Sequence, residues 1–243
     1  MTRSAYLTIA SALTILALSA CDDDDAAGPE ARVLTTVTVT VPASTIEVGE
    51  ITGATASGFD QNGEPITTGP ITWSSDQQTV AGVNPATGFI LAVAEGTTRI
   101  TATAGGKVGE RPITVQKAAA VRINEIQPRA ETPNGWLELS NPTAAAVDLT
   151  GWGLIDNNFF GPMFVFPAGT TIPPGGLLVI EESSLPFGLD AADSAHLFSK
   201  FGVQVDAAAW ASQPATTFGL CPNQAGPVLT TAPTKGTANA CPE

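Results

Sequence analysis

Valine and threonine alternate in "VLTTVTVTV", so that Val33, Val37, Val39 and Val41 fall on one side of an extended chain and threonines on the other. A period of two marks a half-buried strand. Turn chemistry follows in "EVGE" and "DQNGEP", where Asn62-Gly63 reads as a hairpin turn and not as a calcium loop, since the distal acidic ligand is missing. Further short apolar runs are broken at Asn84-Pro85, Gly88, Glu95-Gly96 and Gly105-Gly106, and "PITVQ" closes the series. About seven strands at this spacing predict a β-sandwich. After "KAAA", Lys117 to Ala120, the β pattern resumes in "VRINEIQP", "WLELSNP", "FVFPAGTTIPPGGLLVIEES" and "GVQVDAAAW", with a turn at Pro173-Pro174-Gly175-Gly176. Only "LDAADSAHLF" suggests a helical turn. The expected fold is all-β: one sandwich over residues 33–117 and a second over 118–243.

The first 20 residues differ. Met1 to Ala20 carries one charge, Arg3, then an apolar stretch shorter than the roughly 20 residues that cross a bilayer. It ends in small residues, as a cleavable secretory signal does. The next segment, 21–32, begins "CDDDD" and holds no apolar residue larger than Ala before Val33, so a disordered acidic tether is expected there. Contiguous aspartates lack the alternating spacing and turn glycine of a calcium loop, and no metal is expected at Asp22 to Asp25. Without Arg3, nine basic residues face 23 acidic ones, a net charge of −14. Such a chain repels phosphate backbones, which argues against nucleic acid as a partner.

Leu18-Ser19-Ala20-Cys21 resembles the bacterial lipobox. The resemblance implies that Cys21 receives a diacylglycerol, that the leader is cut before it, and that the protein is held at a membrane by acyl chains. Cys221 and Cys241 then remain as an even pair in an exported chain, which points to a disulfide in an oxidising envelope, with two free thiols as the alternative. Asp22 resembles an inner-membrane retention signal of some bacteria, whereas acidic residues there accompany surface export in others. The outer membrane or cell surface is expected ahead of the inner membrane.

Within 33–117, Trp73-Ser74-Ser75-Asp76, the turn to Gly88, and Gly96-Thr97-Thr98-Arg99-Ile100-Thr101-Ala102 resemble the group 2 bacterial Ig-like domain. Trp73 reads as a core anchor, and Gly88 and Gly96 as turn positions that need positive φ. The resemblance implies an extracellular Ig-like sandwich used as a spacer or adhesive module, with no catalytic residues.

Residues 118–243 resemble the lamin tail domain, also an Ig-like sandwich. The matching residues are Ile123-Asn124-Glu125-Ile126, Trp136 to Pro142, Val147 to Trp152, Asp156-Asn157, Phe166 to Thr170, Ile172 to Gly176, Asp206, Trp210 and Pro233 to Asn239. The sequence departs from that pattern at Leu220-Cys221, where a basic residue is common, and this weakens any inherited binding role for the loop. Asn124, Glu125, Glu138 and Asn141 have two readings: carboxylates and amides grouped for a cation or for acid/base work, or polar groups that cap turns between strands. The second is favoured. Trp136 and Trp152 read as packing residues rather than a sugar platform.

Catalytic chemistry finds little support. His196 is the one histidine, no Gly-x-Ser-x-Gly elbow occurs, Ser194 and Ser199 are near it only in sequence, and the His and Cys count is too small for zinc. No phosphate-binding glycine loop is present and no cofactor is expected. The expectation is a non-enzymatic, lipid-anchored envelope protein, present as a single copy, that displays two modules for adhesion to a surface protein or glycan. Two alternatives are a structural spacer in an envelope complex and an accessory module of a secreted hydrolase system.

Overall fold

The computed structural model describes residues 30–129, 135–210 and 217–242. The leader, Cys21 and the four aspartates lie outside them. In the first half the strands are β1 (Thr36–Thr40), β2 (Thr45–Glu47), β3 (Ile51–Gly53), β4 (Thr55–Phe59), β5 (Pro65–Ile66), β6 (Thr72–Ser75), β7 (Ala81–Val83), β8 (Phe89–Ala92), β9 (Gly96–Ala104) and β10 (Lys107–Gln116). They form sheets ordered β1-β4-β5, β2-β10-β9-β6 and β3-β8-β7. The Val/Thr alternation does what its period requires: Val37, Val39 and Val41 are buried while Thr36, Thr38 and Thr40 are exposed. Val33 is a correction. It precedes β1 and is 55% exposed. There are ten strands rather than seven, because several are only two or three residues long. Their inward side chains pack with Trp73, Ile90, Ile100 and Ile113 into one core.

The second half contains β11 (Arg122–Gln127), β12 (Trp136–Ser140), β13 (Val147–Asp148), β14 (Gly153–Ile155), β15 (Phe164–Val165), β16 (Thr171–Ile172), β17 (Leu177–Glu181), β18 (Asp193–Phe198), β19 (Gln204–Trp210), β20 (Thr217–Leu220) and β21 (Val228–Thr231). Sheets β17-β12-β11-β20-β21 and β15-β14-β18-β19 enclose a second core around Ile126, Leu137, Trp152, Leu154 and Leu197, and β13 pairs with β16. Apart from one 3₁₀ turn at Glu182–Ser184, the described elements are all strands. The segment read as a helical turn, "LDAADSAHLF", is strand over Asp193–Phe198.

Val33–Glu243 forms one compact unit that contains both cores. No strand covers Lys117–Ala120. Beside this connection Gly49, at φ +89, lies against the second sandwich: a Cβ there would stand 2.7 Å from Val203 and 3.1 Å from Phe201. A side chain is excluded at this point by both conformation and space. Glu47 sits at the same junction, where burial pushes its carboxyl above the ordinary value while Lys200 and Ser199 pull it back.

Candidate functional site

Strands β11 and β12 pair antiparallel with Glu125 directly opposite Glu138, and the register slips between Ile123 and Glu125. Asn124 is the extra residue of this bulge, so it and Glu125 both reach the polar cluster beside Glu138. All three are buried. Two carboxylates side by side in a protein interior are costly unless donors surround them, and here the C-terminal segment brings the donors. Glu125 accepts from the Thr217 hydroxyl at 2.5 Å, the Thr234 hydroxyl at 2.8 Å and the Thr234 N–H at 3.2 Å. Glu138 accepts from the Asn124 amide at 2.8 Å and the Gly236 N–H at 2.7 Å. Burial raises the Glu138 carboxyl above its ordinary value and the neighbouring Glu125 charge adds to the rise, against the pull of those two donors.

Asn124 is the hub. Its amide also reaches Asn223 and Asn239 at 3.0 and 3.2 Å, and its carbonyl oxygen accepts from the Gln224 N–H at 2.9 Å. Asn239 answers by donating to the backbone carbonyls of Asn124 and Leu220. The result is a latch that fastens residues 223–239 onto the β11–β12 face. Cys221 and Cys241, bridged to each other, close the same segment covalently. Asn141, the fourth residue singled out by sequence, stands apart. It donates to the carbonyls of Ala145, Ile172 and Pro173 and accepts from Thr143, which fixes the loop after β12.

Chemically, what the carboxylates hold is the chain itself. Among the described residues no group of three His, Cys, Asp or Glu side chains could hold a metal ion. The disulfide and the latch act on one segment, and closing a loop of 20 residues stabilises by about 3 kcal/mol in the loop-entropy view. Replacing both Cys221 and Cys241 by Ser is therefore expected to lower unfolding stability by about 3 kcal/mol in urea titration; a loss below about 1 kcal/mol would mean that the latch alone fixes the segment.

Sequence reasoning missed Glu182. It is buried and accepts from the N–H groups of Gly135 and Leu189, with Arg129 at 3.1 Å. It also took Ser194 as near His196 only in sequence. The Ser194 hydroxyl lies 2.8 Å from His196 Nε2, because residues two apart on β18 share a face. The other ring nitrogen faces the Gln204 side-chain oxygen at 3.4 Å, where a hydrolytic triad requires a carboxylate. Trp136 and Trp152 are each 3% exposed and offer no platform.

Family models place the chain in context. Residues 33–123 match the bacterial Ig-like domain (group 2), and residues 114–221 match the Lamin Tail Domain. The two ranges overlap across the end of β10 and the start of β11, and the second stops before the latched segment. No curated protein matches the chain. Among solved structures, domains 5-6 of the S-layer protein SbsC are 18% identical over 76% of this chain and 100% of that one, with a TM-score of 0.30. The Yersinia pseudotuberculosis adhesin InvE is 13% identical over 78% of this chain and 68% of its own, with a TM-score of 0.29. Domains A168-A170 of titin are 10% identical over 75% and 68%, with a TM-score of 0.28.

Proposed function

Because the chain carries a group 2 bacterial Ig-like domain followed by a lamin tail domain, we propose that it is a non-catalytic, lipid-anchored protein of the bacterial cell envelope that displays these two modules for adhesion or binding. The observation that carries this reading is the order of parts: a lipobox-like Leu18-Ser19-Ala20-Cys21, a short acidic segment, then two modules of display type. Acyl chains at Cys21 contribute roughly 0.8 kcal/mol per buried CH2 group, so two or three of them fix a protein to a bilayer. The acidic run between Cys21 and β1 keeps the first module away from the headgroups. The second module then stands farther from the membrane and is the binding end, with a surface protein or glycan as ligand.

Membrane fractionation tests the anchor. The native chain is expected in the membrane pellet and Cys21→Ala in the soluble fraction; an unchanged distribution would remove the lipid anchor from this reading. Among the described residues the Ser194–His196 contact is the place to test for enzymatic activity, and unaltered behaviour of His196→Ala in hydrolase assays is the expected result.

A further inference from the structure

Two turns meet where the sandwiches join. One is Glu47–Glu50 after β2, closed by the Glu50 N–H on the Glu47 carbonyl and by the Glu50 carboxylate, which accepts from the Glu47 N–H at 3.1 Å. The other is Ser199–Gly202 between β18 and β19, closed by the Gly202 N–H on the Ser199 carbonyl at 2.9 Å. Gly49 of the first lies on Phe201 of the second and on Val203 just beyond it. No described sheet contains strands from both halves, and the cores share no residue. Separating the sandwiches therefore breaks no strand pairing and empties no core, and a junction of this kind opens far more readily than either half unfolds.

Glu47 carries its carboxyl into this junction. Its Oε1 is buried and accepts no hydrogen bond. The charged groups around it are Glu50 on its own turn, Lys200 on the opposing turn, and Lys117 at the end of β10 and Asp148 on β13, which share with it a cleft of about 370 Å³. Lys117 faces Glu95 at 3.5 Å, and the Lys200 ammonium lies over the Phe201 ring at 4.9 Å, so neither bonds Oε1. Thr150 holds the Asp148 carboxyl below its ordinary value. An ionised carboxylate with a buried oxygen that no donor reaches is costly, whereas the neutral acid is tolerated. With the junction apart, the same carboxylate is hydrated.

We propose that Glu47 is a proton-controlled catch between the sandwiches: with the proton on, the two turns close and the modules move as one body; with it off, the junction opens and they move separately. The sign follows from burial, which raises the carboxyl above its ordinary 4.5 in the closed junction, against the pull of Lys200 and Ser199 and with the help of Glu50. Closure is favoured fully below 4.5 and is lost as pH rises through the raised value. The catch does not depend on the lipid anchor. It makes the display of the second module rigid in acid and free at neutral pH.

Single-molecule energy transfer on the full chain tests this at a dilution where copies do not meet. Cys21→Ala and the Cys221–Cys241 bridge leave no free thiol, so dyes go onto Lys107→Cys in the first sandwich and Thr230→Cys in the second, both exposed positions. One narrow population is expected at about pH 4, and a second, open one at about pH 8. The ratio of open to closed grows about tenfold for each pH unit between the titration points of the open and closed forms. Glu47→Gln, a neutral side chain of the same shape, stays closed throughout, while Glu50→Gln keeps the pH dependence with its midpoint moved down. A native chain whose distribution does not change with pH overturns the proposal. So does a Glu47→Gln chain that still responds to pH or that is open at every pH, and so does a response lost in Glu50→Gln.

Discussion

Asn124→Ala is expected to destabilise the second sandwich by about 3–4 kcal/mol, enough to lower its melting temperature by roughly 10 °C or more. The side chain donates to Glu138, Asn223 and Asn239 and accepts from Gln224. Alanine leaves a buried carboxylate oxygen and the Gln224 N–H without these partners, and each orphaned polar group costs about 1–3 kcal/mol, more when charged. The effect carries a pH signature. The folded Glu138 carboxyl titrates above its ordinary 4.5, so its contribution to stability is fully present below that value and is lost as pH rises through the raised one. Removing the Asn124 donor penalises the ionised form further. The deficit of the variant is therefore larger at neutral pH than below pH 4.5, where the raised carboxyl favours its protonated form. Calorimetry of both proteins at the two pH values checks this; equal deficits would mean that Asn124 does not support the Glu138 charge.

The same latch shows where sequence reasoning runs out. Glu125 and Glu138 were legible as members of one candidate polar group, since both lie in short β-patterned runs close together in the sequence. Their donors were not. Thr217 and Thr234 stand 92 and 109 residues from Glu125, and no local period connects them. The bulge that adds Asn124 to the cluster is likewise set by pairing with β12 rather than by composition. Strand β12 is buried on both faces, so the alternation in "WLELS" points Glu138 and Ser140 outward although both are buried. In β18 the alternation is present, with Asp193, Ala195 and Leu197 inward. An aspartate at an inward position disguised it. Asp193 is tolerated there because the N–H groups of Ser194 and Asn157 point at its carboxylate, although burial still raises that carboxyl above its usual value. Where apolar side chains alone decide the inward face, as in β1, pattern and structure agree.

Trp73→Ala is expected to cost about 3–5 kcal/mol, the range for emptying a buried aromatic site. Trp73 is 6% exposed on β6, opposite Ala102 of β9, and its backbone N–H, which alanine keeps, donates to the Pro85 carbonyl. Its ring covers Gly88, whose φ of +75 ends the turn that Asn84 caps through the N–H groups of Ala86 and Thr87. A Cβ at Gly88 would stand 2.9 Å from the ring and 3.0 Å from the Ala54 carbonyl, so indole and glycine fit only together. The two cores share no residue, and the loss at Trp73 is confined to the first. Calorimetry of Trp73→Ala is expected to move one transition down by more than 10 °C on the usual scaling and leave the other in place. Asn124→Ala moves the other one, and the double variant shows both shifts, since sites in separate cores add to within about 0.5 kcal/mol. A single transition that moves as a whole in every variant would show instead that the contact of Gly49 with Phe201 and Val203 couples the sandwiches into one cooperative unit.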